Sequence, residues 1–189
     1  GVQTCALPIS WVSGKVAEFG LRPMGDGGTY FQMLPMSRQI VDPGQSKITG
    51  PNNLAIGFEK NVGLDRFIDQ PEFSGKLVFV QVAGEGFKIS DELNLENKFV
   101  ILIADDKAAG AAALRLSRKR ASAVLRVVDS EPKSTPQQQR PDGRQRGNGI
   151  GGSIHRDTAR QLLNAAGGAE DWLAIPEENS TMVRETDVD

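Results

Sequence analysis

The residues that could bind a catalytic metal are few in this chain. It contains one histidine, His155, and one cysteine, Cys5, within 189 residues. A zinc site needs several histidine, cysteine or carboxylate ligands that converge on one point. With a single imidazole, such a site would have to rely on carboxylates. We therefore interpret His155 as a residue at the end of a strand or the start of a helix, beside Asp157. We predict no catalytic, cofactor-binding or metal-binding residue in this chain.

Two pairs of adjacent carboxylates remain as candidates for cation binding. Asp105 and Asp106 follow an apolar run, the position at which α/β sheets place ligands. Helix capping accounts for the same residues, because carboxylates are favoured at the positive end of a helix. Glu177 and Glu178 lie in a segment that begins with proline rather than after an apolar strand. We interpret the first pair as a helix cap and the second as part of a solvated tail.

Other catalytic and binding patterns are incomplete. A hydrolytic triad would have to use His155, and the chain has no Gly-x-Ser-x-Gly sequence. Residues 84–86, Gly-Glu-Gly, lack the Gly-Lys-Ser/Thr sequence and the following helix of a phosphate loop. Basic residues cluster between positions 115 and 146, but residues 100–149 contain no aromatic side chain on which a base could stack. That pattern favours a solvated helix face and loop over a nucleic-acid site.

The bulk composition is that of an ordinary globular protein. Charged residues make up 24% of the chain and hydrophobic residues 39%, and the formal net charge is −2. This charge gives no general attraction to nucleic acid or to an anionic membrane. No apolar run is long enough to span a bilayer. The composition therefore predicts a globular chain with no nucleic-acid partner and no membrane-spanning segment.

The front of the chain predicts a helix, a turn and a strand. Residues 11–19 place Val12, Val16 and Phe19 on one helical face, and Gly20 is a typical helix stop. The glycines at 25, 27 and 28 predict a turn, and residues 29–36 contain β-forming side chains that predict a strand. Residues 54–58 predict a short strand, whereas residues 62–68 fit no single element.

The middle of the chain carries the clearest pattern. Residues 76–83 and the apolar run 99–104 predict two strands, the second covered on both faces. Residues 107–120 have helical spacing, with Asp105 and Asp106 at the start. Residues 123–128 predict the next strand. This order is a βαβ unit, so the strands at 99–104 and 123–128 should lie parallel with a right-handed crossover.

The last part of the chain predicts a loop, a strand, a helix and a tail. Residues 131–149 are polar and predict a mobile surface loop. A short strand follows at 150–154, and Asp157 is expected to cap a helix over 158–166, with Trp172 and Leu173 packed on the core. Residues 176–189 read as an acidic tail with few anchors. The fold class is therefore α/β, a small open sheet of roughly five to seven strands with flanking helices.

Three segments resemble known sequences. Residues 1–10, GVQTCALPIS, resemble the translation of a common sequencing adapter, in which case Cys5 is not native. Residues 20–36, GLRPMGDGGTYFQMLPM, resemble the opening of secreted zinc aminopeptidases of the M28 family. Residues 76–128 and 151–163 resemble a protease-associated (PA) domain, through the alanine-rich segment 107–113 and the Leu-Leu pair at 162–163. That family usually has a proline near position 152 and a Gly-Ala pair at 121–122, where this chain has Ala-Ser.

The resemblance implies a domain organisation and a role. Residues 11–71 would be the helix end and strand segment of the parent peptidase, residues 72–175 a PA-like domain with a loop at 129–149, and residues 176–189 a tail that leads to a catalytic domain. Zinc would be bound in that downstream domain. The PA-like part would be non-catalytic, would shape access for a peptide or protein substrate, and would be secreted or located in the cell envelope.

Two other hypotheses remain open. The chain could be a stand-alone PA-type interaction module of another protease class or of a sorting receptor. It could also be a small α/β enzyme, which a pocket ringed by Asp105, Asp106 and His155 would favour.

Overall fold

The computed structural model describes residues 6–32, 38–66, 72, 74–135, 137–138 and 149–187. The chain divides into two compact units, Gly1–Met36 and Ser37–Asp189. The helices are α1 (Ala6–Glu18), α2 (Ala109–Arg118) and α3 (Arg156–Ala165). The strands are β1 (Arg38–Gln39), β2 (Lys47–Thr49), β3 (Ala55–Gly57), β4 (Val62–Arg66), β5 (Lys76–Val82), β6 (Lys98–Ala104), β7 (Ala123–Val128), β8 (Gln137–Gln138), β9 (Ile150–His155) and β10 (Thr181–Glu185).

The first unit contains α1 and a tight turn. Gly20 has φ +70° just after the helix, which confirms the predicted stop, because glycine adopts this left-handed conformation without a steric penalty. The N–H of Asp26 donates to the carbonyl of Phe31 over 2.7 Å, so the chain folds back on the turn. Residues 29–32 therefore form no strand. The strand predicted over 29–36 is wrong for these four residues, and residues 33–36 lie outside the described residues.

The second unit is built around a six-stranded sheet with the order β10-β5-β6-β7-β9-β4. The four central strands are parallel, whereas β10 and β4 pair antiparallel at the two edges. Two short antiparallel pairs, β1 with β8 and β2 with β3, lie outside this sheet. The β6–α2–β7 segment is the predicted βαβ unit, with Phe99 opposite Ala123 in parallel register. The predicted α/β class, an open sheet with flanking helices, is confirmed.

Alternate residues of the central strands pack against different layers. On one face, Phe79, Ile101 and Leu125 pack in a cluster that includes Leu162 and Leu163 of α3. On the other face, the cluster combines residues of β5, β6 and β7 with residues of α2: Val80, Leu102, Val124, Ala112 and Leu116. Strands covered on both sides need apolar residues at every position, which explains the continuous apolar runs.

The segment after α3 packs on the core, as predicted, and it does so on the α3 side of the sheet. Leu173 is buried, and the ring of Trp172 meets the ring of Phe79 edge to face at a centroid distance of 5.7 Å. Gln81 of β5 also contributes, because its side-chain amide donates to the carbonyls of Asp171 and Ala174, each over 2.7 Å. These contacts hold the chain in place immediately before it turns back towards β10.

The acidic tail predicted at 176–189 is the main correction to the expected fold. Its residues 181–185 form β10, which pairs antiparallel with β5 with Thr181 opposite Val82. The N–H of Thr186 then donates to the carbonyl of Leu77 over 3.1 Å, and Thr186 is buried. The segment therefore completes one edge of the sheet. Residues 188–189 lie outside the described residues.

The predicted loop at 131–149 also needs correction at its start. Pro132 is buried, the N–H of Thr135 donates to the carbonyl of Leu64 over 2.9 Å, and Ser134 Oγ accepts from the N–H of Leu64 over 3.1 Å. Residues 132–135 are thus packed along β4. The short strand β8 follows, and residues 136 and 139–148 lie outside the described residues.

A membrane span is not found among the helices of the described residues, since none combines the length and the apolar character that crossing a bilayer requires.

Candidate functional site

The carboxyl ends of the parallel strands are the natural place to look for a site in this fold. Gly84 follows β5, Asp105 follows β6 and Asp129 follows β7, while His155 is the last residue of β9. Polar and charged groups therefore lie together at the carboxyl ends of the parallel strands. The decisive question is whether these groups are free to act on a ligand or are used to hold the fold together.

Both carboxylate oxygens of Asp105 are engaged by the main chain. Oδ2 accepts from the N–H of Gly84 and Oδ1 from the N–H of Ala108, each over 2.8 Å. The N–H of Gly84, followed by that of Ala108, lowers the pKa of Asp105. The carboxylate thus joins the end of β5 to the turn that leads into α2. The prediction that Asp105 and Asp106 cap the helix is wrong in its position, because α2 begins at Ala109 with Ala108 as its N-cap and no side-chain cap, whereas Asp105 bonds the turn before it.

His155 lies between β9 and α3, as predicted. The backbone N–H of His155 donates to the carbonyl of Asn61 over 2.8 Å, and Nδ1 of its ring accepts from the backbone N–H of Asp157 over 3.3 Å. The imidazole is therefore the N-cap of α3. The expectation that Asp157 caps this helix is wrong, because Asp157 is already its second residue. Sequence reasoning preferred the aspartate because carboxylates are much commoner caps.

His155 and Asp157 have the His-x-Asp spacing at the end of a strand, which is a spacing that two metal ligands could have. Sequence reasoning did not consider them as a pair of ligands. Their side chains approach to 3.7 Å between Nδ1 and Oδ2. Asp157 is also bound by Arg160, whose Nη1 lies 2.6 Å from Oδ1. Among the described residues, no group of three or more histidine, cysteine, aspartate or glutamate side chains could hold a metal ion.

A cleft of about 330 Å³ lies at the start of α3. Its lining is polar and mixed in charge, and consists of Lys60, Asn61, Glu131, His155, Asp157, Thr158 and Gln161. Thr158 is buried and its hydroxyl donates to Oδ1 of Asn61 over 3.1 Å, while Nδ2 of Asn61 donates to the carbonyl of Gly57 over 2.8 Å. Asp105 and Asp106 do not line this cleft, so the pocket that would have favoured a small enzyme is not formed there.

Asp129 forms an ion pair with Arg156, the first residue of α3. Arg156 donates to it through Nε and Nη2, and Nη1 of the same guanidinium donates to the carbonyl of Leu173 over 3.1 Å. The Arg156 hydrogen bond lowers the pKa of Asp129. This ion pair ties β7 to α3 and to the segment after it, so it too serves the fold.

Arg115 of α2 and Lys119, which follows α2, contact the connection between β5 and β6. The guanidinium of Arg115 lies over the ring of Phe87 at 4.6 Å and donates to its carbonyl over 3.1 Å. Nζ of Lys119 donates to the carbonyl of Asp91 over 3.1 Å. These two cations therefore bind the loop between β5 and β6.

A second groove, of about 390 Å³, lies beside β10. It is lined by Lys88, Ser90, Glu92, Leu93, Thr181 and Val183. The buried polar atoms without a hydrogen-bond partner among the described residues, Oε1 of Gln81 and Oγ1 of Thr181, both lie on the β5–β10 pair. Sequence reasoning missed this groove because it placed residues 181–185 in a solvated tail.

The turn before β10 positions the glutamates at 177–178. The N–H of Ser180 donates to the carbonyl of Glu177 over 3.2 Å, and Oδ1 of Asn179 accepts from the N–H of Gly86 over 2.8 Å. Both glutamates are exposed, and neither lines the cleft that contains His155. The turn thus fastens β10 to the end of β5.

Comparison with known proteins adds no relative. The family models, the curated proteins and the solved structures that were searched contain no match to this chain.

Proposed function

We propose that this chain is a non-catalytic, PA-type module of a zinc aminopeptidase of the M28 kind, which shapes access for a peptide or protein substrate. The proposal rests on one observation: the polar groups at the carboxyl ends of the parallel strands are bonded to the protein's own backbone and side chains. Asp105 binds two backbone N–H groups, Asp129 binds Arg156, and His155 caps α3. Groups committed in this way position secondary structure rather than a reacting substrate.

The resemblance supplies the rest of the proposal. The opening at 20–36 and the alanine-rich helix with its flanking strands resemble parts of M28 peptidases that precede or interrupt the catalytic domain. Zinc would then be bound outside this chain, and the whole protein would be secreted or located in the cell envelope. An α/β sheet with a βαβ unit supports this reading at the level of architecture only, because one fold serves many functions.

The direct test is a peptidase assay on this chain with added zinc, using aminoacyl p-nitroanilides and a short unblocked peptide. We expect no turnover above the rate of the zinc-containing buffer. Hydrolysis that scales with protein concentration and is abolished by a chelator would contradict the non-catalytic role.

A second test addresses the parent enzyme. The source reading frame beyond residue 189 should encode a further His-x-Asp after a strand, with a Glu-Glu pair downstream, in addition to the His155-Arg156-Asp157 sequence. A continuous reading frame without that block would favour the stand-alone interaction module instead.

A further inference from the structure

The register of β10 determines which of its backbone groups face outward. The N–H of Ala83 donates to the carbonyl of Ser180 over 3.2 Å, and the N–H of Thr186 donates to the carbonyl of Leu77 over 3.1 Å. In an antiparallel pair, residues that exchange hydrogen bonds alternate with residues that do not. The N–H and C=O groups of Thr181, Val183 and Glu185 therefore point away from β5. Within the described residues, no strand lies beyond β10 in this sheet.

This edge lacks several of the devices that prevent strand addition. Exposed edges are commonly protected by proline, by bulges, by charged side chains or by a covering segment. The two charged side chains of β10 are both engaged in ion pairs, Arg184 with Asp171 over 2.7 Å and Glu185 with Lys98 over 2.5 Å. The sequence Thr-Met-Val-Arg-Glu contains no proline, and β10 pairs with β5 at five consecutive positions without a register shift. Met182 and Val183 remain 40% and 38% exposed. A regular strand with outward hydrogen-bonding groups and partly exposed apolar side chains can accept another strand.

The groove beside β10 gives such a strand a place for its side chains. Thr181 and Val183 lie opposite Val82 and Val80, whose side chains pack in the cluster on the α2 face. The groove on this face is completed by residues 88–93 of the β5–β6 connection. Lys88 and Glu92 contribute charges of opposite sign, and Nζ of Lys98 pairs with Glu185 over 2.5 Å. The groove lining therefore carries no net charge, and its uncharged members, Ser90, Leu93, Thr181 and Val183, can contact uncharged side chains.

We propose that β10 binds an extended segment of a partner polypeptide by strand addition, with alternate side chains of that segment in the groove lined by Lys88, Ser90, Glu92, Leu93, Thr181 and Val183. The inference rests on the proposed function, in which this module contacts a peptide or protein, and names the surface used. Outward N–H and C=O groups at every second residue are matched by another extended main chain, and the neutral groove selects small uncharged side chains such as threonine and valine.

The probe is a synthetic peptide, acetyl-Lys-Thr-Val-Thr-Val-Thr-Lys-amide, whose terminal lysines maintain solubility. Its control is the same peptide with alternate backbone nitrogens methylated, which removes donors without changing the side chains. Titration of the labelled chain should shift the amide resonances of Thr181, Val183 and Glu185 and of residues 88–93. The methylated peptide should bind about tenfold more weakly or not at all.

Three variants locate the contact. Val183→Pro removes one outward N–H while leaving the bonds to β5 in place, and should weaken binding by about tenfold. Val183→Lys and Met182→Lys form a matched pair, because the two neighbours are almost equally exposed and face opposite sides of the sheet. Only Val183→Lys should weaken binding strongly. Thermal unfolding of each variant establishes that the fold is retained before binding is compared.

Other results of these experiments would contradict the binding at β10, the identity of the partner or the non-catalytic role. No binding, or resonance shifts confined to another surface, would overturn the β10 proposal; the latter result would leave the proposed function standing. A concentration-dependent dimer that Val183→Pro abolishes would show that the occupant is a second copy, and would overturn the proposed partner. Hydrolysis of the peptide, followed by mass spectrometry, would contradict the non-catalytic role whether or not β10 binds it.

Discussion

The two edge strands of the main sheet, β4 and β10, differ in the regularity of their pairing and in whether another segment covers them. β4, at one edge, has an irregular register between Leu64 and Arg66 and is covered by residues 132–135. β10, at the other edge, is regular, and the described residues add no strand outside it. Both edge strands are antiparallel to their neighbours, so direction does not explain the contrast. Within the described residues, the backbone of the chain covers the β4 edge, and no strand is added outside β10.

The cover on β4 depends on close approach of backbones. Gly63 lies so near the covering segment that a Cβ there would stand 2.6 Å from backbone atoms of Lys133. Gly152 of β9 is similarly crowded, since its Cβ would stand 2.2 Å from the carbonyl oxygen of Gly63. Two adjacent strands thus meet through glycines, and the covering segment fits over them. β10 contains no glycine.

The largest expected effect comes from breaking the cover on β4. Gly63→Ala should lower the free energy of unfolding by about 1 to 3 kcal/mol, because the new methyl group must displace the backbone of Lys133. Gly57→Ala is the control, since a Cβ at that strand position meets no atom within 4 Å. Denaturant unfolding measures both. Equal stability of the two variants would show that residues 132–135 do not press on β4.

A smaller effect should separate inward from outward positions on β10. Met182→Pro removes an N–H that the register directs to β5, and should lower the free energy of unfolding by about 1 to 2 kcal/mol. Val183→Pro removes an outward N–H and should change it by about 0.5 kcal/mol or less. Chemical denaturation followed by circular dichroism measures the difference. If Val183→Pro were the more damaging substitution, the outward direction of that N–H would be wrong.

The hydroxyl of Ser134 should contribute about 1 kcal/mol to the β4 edge, because it accepts the outward N–H of Leu64, a buried residue. Ser134→Ala removes the acceptor, whereas Ser134→Thr keeps it and serves as the control. Hydrogen exchange of the Leu64 amide gives a local readout, and it should become faster in the alanine variant alone. Unchanged exchange would mean that the hydroxyl does not protect this edge.

The smallest effect concerns the ion pair between Asp129 and Arg156. The Arg156 hydrogen bond lowers the pKa of Asp129 below the value of an unfolded chain, so the native state binds fewer protons. The stabilisation is present above about pH 4 and is lost as the pH falls through the native pKa. For this exposed pair we expect about 0.2 to 1 kcal/mol.

Urea unfolding near neutral pH and in acid tests this expectation. Asp129→Asn should flatten the acid-side loss of stability, because it removes the carboxylate whose pKa the Arg156 hydrogen bond lowers. An unchanged acid-side loss in this variant would show that the Arg156 hydrogen bond does not stabilise the native state.

The parallel centre of the sheet was predictable because its signals are local. The apolar runs of β5 and β6, the alanine-rich spacing of α2 and the following β7 all lie within short stretches of sequence. β4 remained ambiguous, since Gly63 and Asp65 interrupt its apolar pattern. β10 was missed because a five-residue segment with two charged side chains resembles a tail until its partner is known. The cap on α3 was assigned to Asp157 because histidine is a rare cap.

The sequence by itself determined the α/β class, the βαβ unit and the scarcity of imidazole and thiol groups that limits metal chemistry. These properties follow from composition and from periodicities that a strand or helix needs along its own length. Only the tertiary structure decided that β10 pairs with β5, that residues 132–135 cover β4 and that Asp105 joins two strand ends. Such pairings depend on hydrogen bonds and contacts between segments far apart in the chain, and no local pattern specifies them.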